Sequence, residues 1–163
     1  IPNDGMIMAR NPALMHSFSN LVMTIYAPSQ IEPTLKRMIG LITSTAAGCS
    51  YCRAHTAHAA HNLGVDDQKI EDAWSYETSD LFTDAERAAL RVAQGAGLSP
   101  NTVTDEQIED LKKYYNDEQV IEIVSVISLF GFMNRWNSTF MTELETSPLS
   151  YAQNHLKDPT HDG

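Results

Sequence analysis

An all-α domain is the fold this sequence predicts, on three observations. Prolines fall at 2, 12, 28, 33, 100, 148 and 159, which leaves residues 34–99 and 101–147 without one. Apolar residues recur at helical spacing, and no stretch alternates with period two between hairpin turns. Three capping-box signatures follow one another in the second half of the chain.

Asn11-Pro12 reads as an N-cap followed by proline at the first helical position. It opens a helix to about Tyr26, with Leu14, Phe18, Leu21, Val22 and Ile25 at helical spacing and Pro28 as its stop. A second helix starts near Pro33, carries Leu35, Met38, Ile39 and Ile42 on one face, and breaks at Gly48 after about Ala47. A third runs from about Ser50 to Asn62, with Gly64 at its C-terminal cap. Asp66 or Asp67 caps a short helix reaching Trp74, before a polar loop over 75–81.

Thr83-Asp-Ala-Glu86, Thr104-Asp-Glu-Gln107 and Asn116-Asp-Glu-Gln119 each place Glu or Gln three residues after a capping side chain. The helices they open are expected to end near Ala96, Tyr115 and Leu144. The last is apolar on most of its circumference, through Val120, Ile121, Ile123, Val124, Val126, Ile127, Leu129 and Phe130. A helix of that kind is central to a core or shared between subunits, and in so small a domain subunit contact is favoured. The expected organisation is one domain over 1–147 and a polar, extended tail over 148–163.

The chain of 163 residues carries 11 basic and 21 acidic residues, a formal charge of −10, which argues against nucleic acid and against anionic membrane surfaces. The most hydrophobic stretch, Val120 to Met133, is interrupted by Glu122 and falls short of the ~18–20 residues of a spanning helix. A cytoplasmic location is expected. With two cysteines, Cys49 and Cys52, no disulfide framework stabilises the fold.

Those cysteines form a C-x-x-C followed by three of the six histidines, His55, His58 and His61. Cys49 at a helix N-terminus would meet unpaired backbone N–H groups that favour thiolate, and Arg53 adds positive charge. His55 lies three residues after Cys52 and supplies a base or proton shuttle beside a sulfur nucleophile. Metal binding competes with this reading, since positions 49, 52, 55, 58 and 61 are all ligand types. Each step of three falls about 60° short of a turn, so the stripe winds through about 240° and all five cannot meet one ion. Three adjacent members with a fourth ligand from elsewhere could hold zinc. A c-type haem is disfavoured because Arg53 stands where C-x-x-C-H needs histidine. His58 remains a weaker site candidate, and His61 reads as a surface residue.

The segment Gly48-Cys-Ser-Tyr-Cys-Arg-Ala-His55, with Gly64 twelve residues after Cys52, resembles the carboxymuconolactone decarboxylase and alkylhydroperoxidase D-like family. Phe82-Thr-Asp-Ala-Glu-Arg-Ala-Ala-Leu90 is similar to that family's helix start, Asp117 to Ile127 to its apolar helix, and Met133-Asn-Arg-Trp-Asn137 to its Asn-Arg-aromatic-Asn element. The resemblance spans roughly residues 2–145. It implies a compact all-helical fold that assembles as trimers or hexamers, needs no cofactor, and takes a small-molecule substrate and a thiol reductant. It also implies that Cys52 attacks a hydroperoxide and Cys49 resolves the sulfenic acid as a disulfide. Two positions depart from the peroxidase pattern: Thr56 stands where it has histidine, and Arg37 where it has glutamate. The family's Glu–His proton relay is therefore not carried over intact. Arg37 is instead a candidate for favouring thiolate or holding an anionic substrate, against a plain surface role. Arg135 reads first as an interface ion pair.

The leading expectation is a thiol-dependent peroxidase or disulfide oxidoreductase built on Cys52, Cys49 and His55, with Arg37 and His58 in support. One alternative is a cofactor-free decarboxylase of a small carboxylated lactone, against which the intact C-x-x-C speaks. The other is a non-enzymatic metal-binding or redox-sensing module, supported by the histidine cluster.

Overall fold

The computed structural model describes residues 1–157. Nine α-helices carry the described chain: α1 (Asn3–Met8), α2 (Pro12–Ile25), α3 (Pro33–Ala46), α4 (Ser50–Asn62), α5 (Asp67–Glu71), α6 (Asp84–Gly97), α7 (Asp105–Lys112), α8 (Asp117–Phe140) and α9 (Thr146–His155). A single 3-10 turn, Ala73–Ser75, follows α5, and no strand occurs among the described residues.

The local signals form as the residues dictate. Asn11 accepts the Leu14 amide at 3.2 Å, and Thr83, Thr104 and Asn116 each close a reciprocal capping box. Asp66 caps α5 by accepting the Gln68 amide at 2.8 Å. Gly48 and Gly64 have φ of 73° and 88°, the left-handed region in which a Cβ would be strained.

α3 is the central element and packs against α4, α6 and α8. Its Met38, Ile39, Leu41 and Ile42 are buried, as are Ala88, Ala89 and Leu90 of α6 and Ile123, Val126, Ile127 and Leu129 of α8. α8 comes close enough to α3 that a Cβ on Gly40 would lie 2.5 Å from the Phe130 ring. Lys36 is buried at the end of α2, where its ammonium donates to the carbonyls of Ile25 at 2.7 Å and Ala27 at 3.3 Å and pairs with Glu122 at 2.5 Å. One cation thereby satisfies carbonyls that the end of α2 leaves without helical partners and ties α2 to α8.

Three expectations are corrected. α8 ends at Phe140 rather than near Leu144, because Met141 adopts a left-handed conformation with φ 49° and the Thr142 amide turns back to the Asn137 carbonyl at 3.1 Å. The segment expected to be an extended tail from Pro148 contains most of α9, which packs against α4 and α5. Pro148 sits in the first turn of that helix, where a missing N–H costs nothing. The rest of that tail, 158–163, lies outside the described residues. α7 also stops short of Tyr115, at Lys112.

Candidate active site

The left-handed turn at Gly48 delivers Cys49 to the N-cap of α4. There the Cys49 amide donates to the Ser44 carbonyl at 3.0 Å, and Cys49 Sγ accepts the Cys52 amide at 3.4 Å. Cys52 lies one turn on, and both cysteines are free thiols and buried. Asn137 of α8, itself buried, donates its Nδ2 to Cys52 Sγ at 3.5 Å.

This arrangement separates the two sulfurs electrostatically. A hydrogen bond from the Cys52 thiol, aided by the Cys52 amide and Ser138 against the cost of burial, lowers Cys49 to about 7. Cys52 donates that bond and is buried beside the Cys49 charge, so its pKa is pushed up, with Asn137 opposing weakly. The resting charge of the pair therefore sits on Cys49.

Cys52 forms part of the wall of a cavity of about 160 Å³. Arg37 of α3, Tyr51, His55 and Thr56 of α4, and Phe130 and Met133 of α8 share that wall, with Pro2 and Asp4 from the N-terminus. A larger depression of about 420 Å³ is lined by Thr43, Gly97, Asn134, Arg135 and Ser138, and neither cysteine reaches it.

His55 is held by a residue that sequence reasoning missed. Its Nε2 is 2.5 Å from Glu145 Oε2, while Tyr51 donates its hydroxyl to Glu145 Oε1 at 2.9 Å and the Asn3 amide donates to the same oxygen at 2.5 Å. Burial pushes the Glu145 carboxyl up, but the amides of Asn3 and Glu145 itself, with Tyr51 and His55, together hold it below the usual range. Glu145 stays ionised and fixes the imidazole, whose ring lies 4.4 Å from that of Tyr51. The Tyr51 hydroxyl is correspondingly pushed up, by burial first and then by the Asp4 and Glu145 charges.

A carboxylate–imidazole pair thus stands beside Cys52 although Thr56 and Arg37 occupy the positions where the sequence resemblance places histidine and glutamate. Thr56 donates to the Cys52 carbonyl at 2.8 Å, a bond within its own helix. The one local signal for Glu145 is Thr146-Ser147-Pro148, a helix start with proline in its first turn, and nothing in it points to a residue 90 positions away. Asn137 stands out in the Asn-Arg-aromatic-Asn element, but not as a partner of Cys52.

The structure brings Cys52, His55 and Arg37 together in one cavity, with Cys49 directly behind. His58 is not among them. It packs against Tyr151 of α9 at 5.8 Å, and burial, with the neighbouring His61 and His55, lowers its pKa. His61 pairs with Asp67 at 2.7 Å. Arg135 is exposed and donates to the Gly131 carbonyl at 3.0 Å. Among the described residues no group of three or more His, Cys, Asp and Glu side chains is arranged to hold a metal ion. No described helix is long and apolar enough to cross a membrane.

Residues 12–95 match the model of the carboxymuconolactone decarboxylase family. A cysteine-to-alanine variant of the debrominase Bmp8 in complex with 2,3,4-tribromopyrrole superposes with a TM-score of 0.91 at 36% identity, over 94% of this chain and 82% of that one. An Agrobacterium tumefaciens protein of unknown function, described as a candidate AhpD antioxidant-defence protein, superposes with a TM-score of 0.79 at 21% identity, over 86% of this chain and 96% of that one. The uncharacterised protein YdfG of Bacillus subtilis strain 168 is 27% identical over 110 residues, 67% of this chain and 73% of that protein.

Proposed function

The chain belongs to the carboxymuconolactone decarboxylase family, whose members include enzymes, and from that premise we propose that it is a thiol-dependent oxidoreductase. It passes two electrons from the Cys49–Cys52 pair to a small electrophile, with a hydroperoxide as the first candidate substrate. The observation that carries this reading is the division of labour in the pair: Cys52 meets the cavity beside an oriented imidazole, while Cys49 holds the charge behind it.

In the first step the Cys52 sulfur attacks the terminal peroxide oxygen and its proton passes to the Cys49 thiolate. The O–O bond breaks, and the departing alkoxide takes a proton from His55, which Glu145 holds in place. The Cys49 thiol then attacks the Cys52 sulfenic acid; the S–S bond forms, the S–O bond breaks, and hydroxide leaves with the Cys49 proton as water. Dithiol and hydroperoxide give disulfide, alcohol and water, and an external thiol restores the dithiol.

A second substrate reading has a specific observation behind it, the 36% identity to a debrominase that holds 2,3,4-tribromopyrrole. With a bromoarene the same pair would yield disulfide, hydrogen bromide and the arene bearing hydrogen in place of bromine. We also infer a homo-oligomer, the trimer or hexamer that the sequence resemblance implies.

The test is to add one equivalent of hydroperoxide to reduced protein, count thiols, and map the product by mass. Loss of both thiols to a Cys49–Cys52 disulfide is expected, with the rate lowered by about tenfold or more in Glu145→Gln, the usual scale for weakening a general acid. Two thiols still free after prolonged treatment with either hydroperoxide or bromoarene would overturn the reading.

A further inference from the structure

Arg37 is a cation in a place that its own chemistry does not explain. It shares the cavity wall with Cys52 and His55, and its Nε is buried with no hydrogen-bond partner. In a chain with 21 acidic residues it forms no ion pair among the described residues. By contrast, Arg87 pairs with Asp84 at 2.9 Å, and Arg91 with Glu77 at 2.5 Å and Asp110 at 2.9 Å. The Tyr26 ring lies against it, with Cζ 4.1 Å from the centroid, a cation–π contact that holds the guanidinium without neutralising its charge.

The rest of the cavity has the character of a ring site. Phe130, Met133 and Tyr51 supply apolar and aromatic surface, and the volume of about 160 Å³ suits one small ring; a cavity of about 150 Å³ accepts benzene. Asp4 is the opposing charge at the wall, but its Oδ1 is engaged by the Gly5 amide at 2.6 Å. The charge of the reduced pair lies on Cys49, which is not part of the wall, so an anion entering here meets the Cys52 thiol.

We propose that Arg37 makes the Cys52 cavity a site for a single-ring aromatic anion, the guanidinium holding the negative group while the reacting atom faces Cys52. This substrate class rests on the thiol-oxidoreductase reading of the same site. A guanidinium on the cavity wall that has no carboxylate partner gains a bond between two opposite charges from such a group, whereas a neutral alkyl hydroperoxide offers it only an uncharged acceptor. The discrimination follows from that difference.

The experiment uses two unreactive probes of one size, benzoate and benzyl alcohol, titrated calorimetrically into the reduced protein. Benzoate is expected to bind at least about tenfold more tightly, the scale of a charge-assisted pair. It should also slow alkylation of Cys52, the cysteine on the cavity wall, more than benzyl alcohol does at equal concentration. Arg37→Gln should erase the preference, Arg37→Lys should keep part of it, and Arg135→Gln should leave it unchanged. Equal binding of the two probes, or a preference that survives Arg37→Gln, overturns the proposal and leaves the thiol chemistry standing. Should Arg37→Gln fail to fold, protection of Cys52 by benzoate in the unaltered protein decides, and its absence overturns the assignment. Arg37-dependent benzoate binding in a protein whose cysteines never oxidise would sink the thiol reading and retain the anion site.

Discussion

Cys49 and Cys52 are the same side chain one helical turn apart, yet their surroundings drive them in opposite directions. Cys49 accepts from the Cys52 thiol and amide at the helix N-cap, whereas Cys52 gives up a hydrogen bond and receives a weak one from Asn137. Thiolate exists above the pKa, so alkylation of Cys49 should fall away as pH drops through about 7. Cys52→Ala removes the largest cause of that lowering, and the midpoint should move upward. Each rise of one pH unit in the midpoint should cut reactivity at neutral pH by about tenfold. Cys52→Ser keeps a hydroxyl donor and should move it less. A midpoint that stays near 7 in Cys52→Ala would show that the neighbouring thiol is not what stabilises the charge. Much at this scale is legible in the sequence, because Gly48, Cys49 and Cys52 act within a single turn of chain. Glu145 is not, since its hydrogen bond to His55 crosses 90 residues and exists only once α9 docks on α4.

Among the elements, the cavity depends on how closely α8 approaches α3. Phe130 lies over Gly40, where a methyl group would meet its ring at 2.5 Å, and the same ring forms part of the cavity wall beside Cys52. Gly40→Ala should therefore act as overpacking, destabilising by about 1–3 kcal/mol despite alanine's better helix propensity. It should also slow thiol oxidation by displacing Phe130. Urea unfolding together with the oxidation rate checks both, and a more stable variant with unchanged kinetics would show that the ring moves aside freely. The starts of α6, α7 and α8 are readable because each is capped by its own neighbours, at Thr83, Thr104 and Asn116. The end of α8 is not: Met141 adopts a left-handed conformation without being glycine, so no residue type announces the stop. For α9, Pro148 has the look of a helix breaker, but proline in a first turn is a helix starter.

At the scale of the molecule, the apolar circumference of α8 exceeds what one copy covers. Its inward residues fill the core, yet Ile121 remains 67% exposed, Phe140 52% and Phe132 41%. Phe18 of α2 stacks on Phe132 at 5.3 Å, and Trp136 continues the run to Phe140, with ring separations of 5.9 and 4.8 Å. A contiguous aromatic surface of this kind is what monomers avoid and symmetric interfaces use. The net charge of −10 opposes association at long range, so an interface on this face would draw its stability from buried apolar area, and assembly would strengthen with salt. Light scattering is expected to give a multiple of 18.1 kDa at micromolar concentration. Phe132→Glu, which places a charge in the middle of the aromatic run, should return the protein to single chains with its helical content intact. A monomer in the unaltered protein would refute assembly through α8, and an oligomer that survives Phe132→Glu would place the interface on another face.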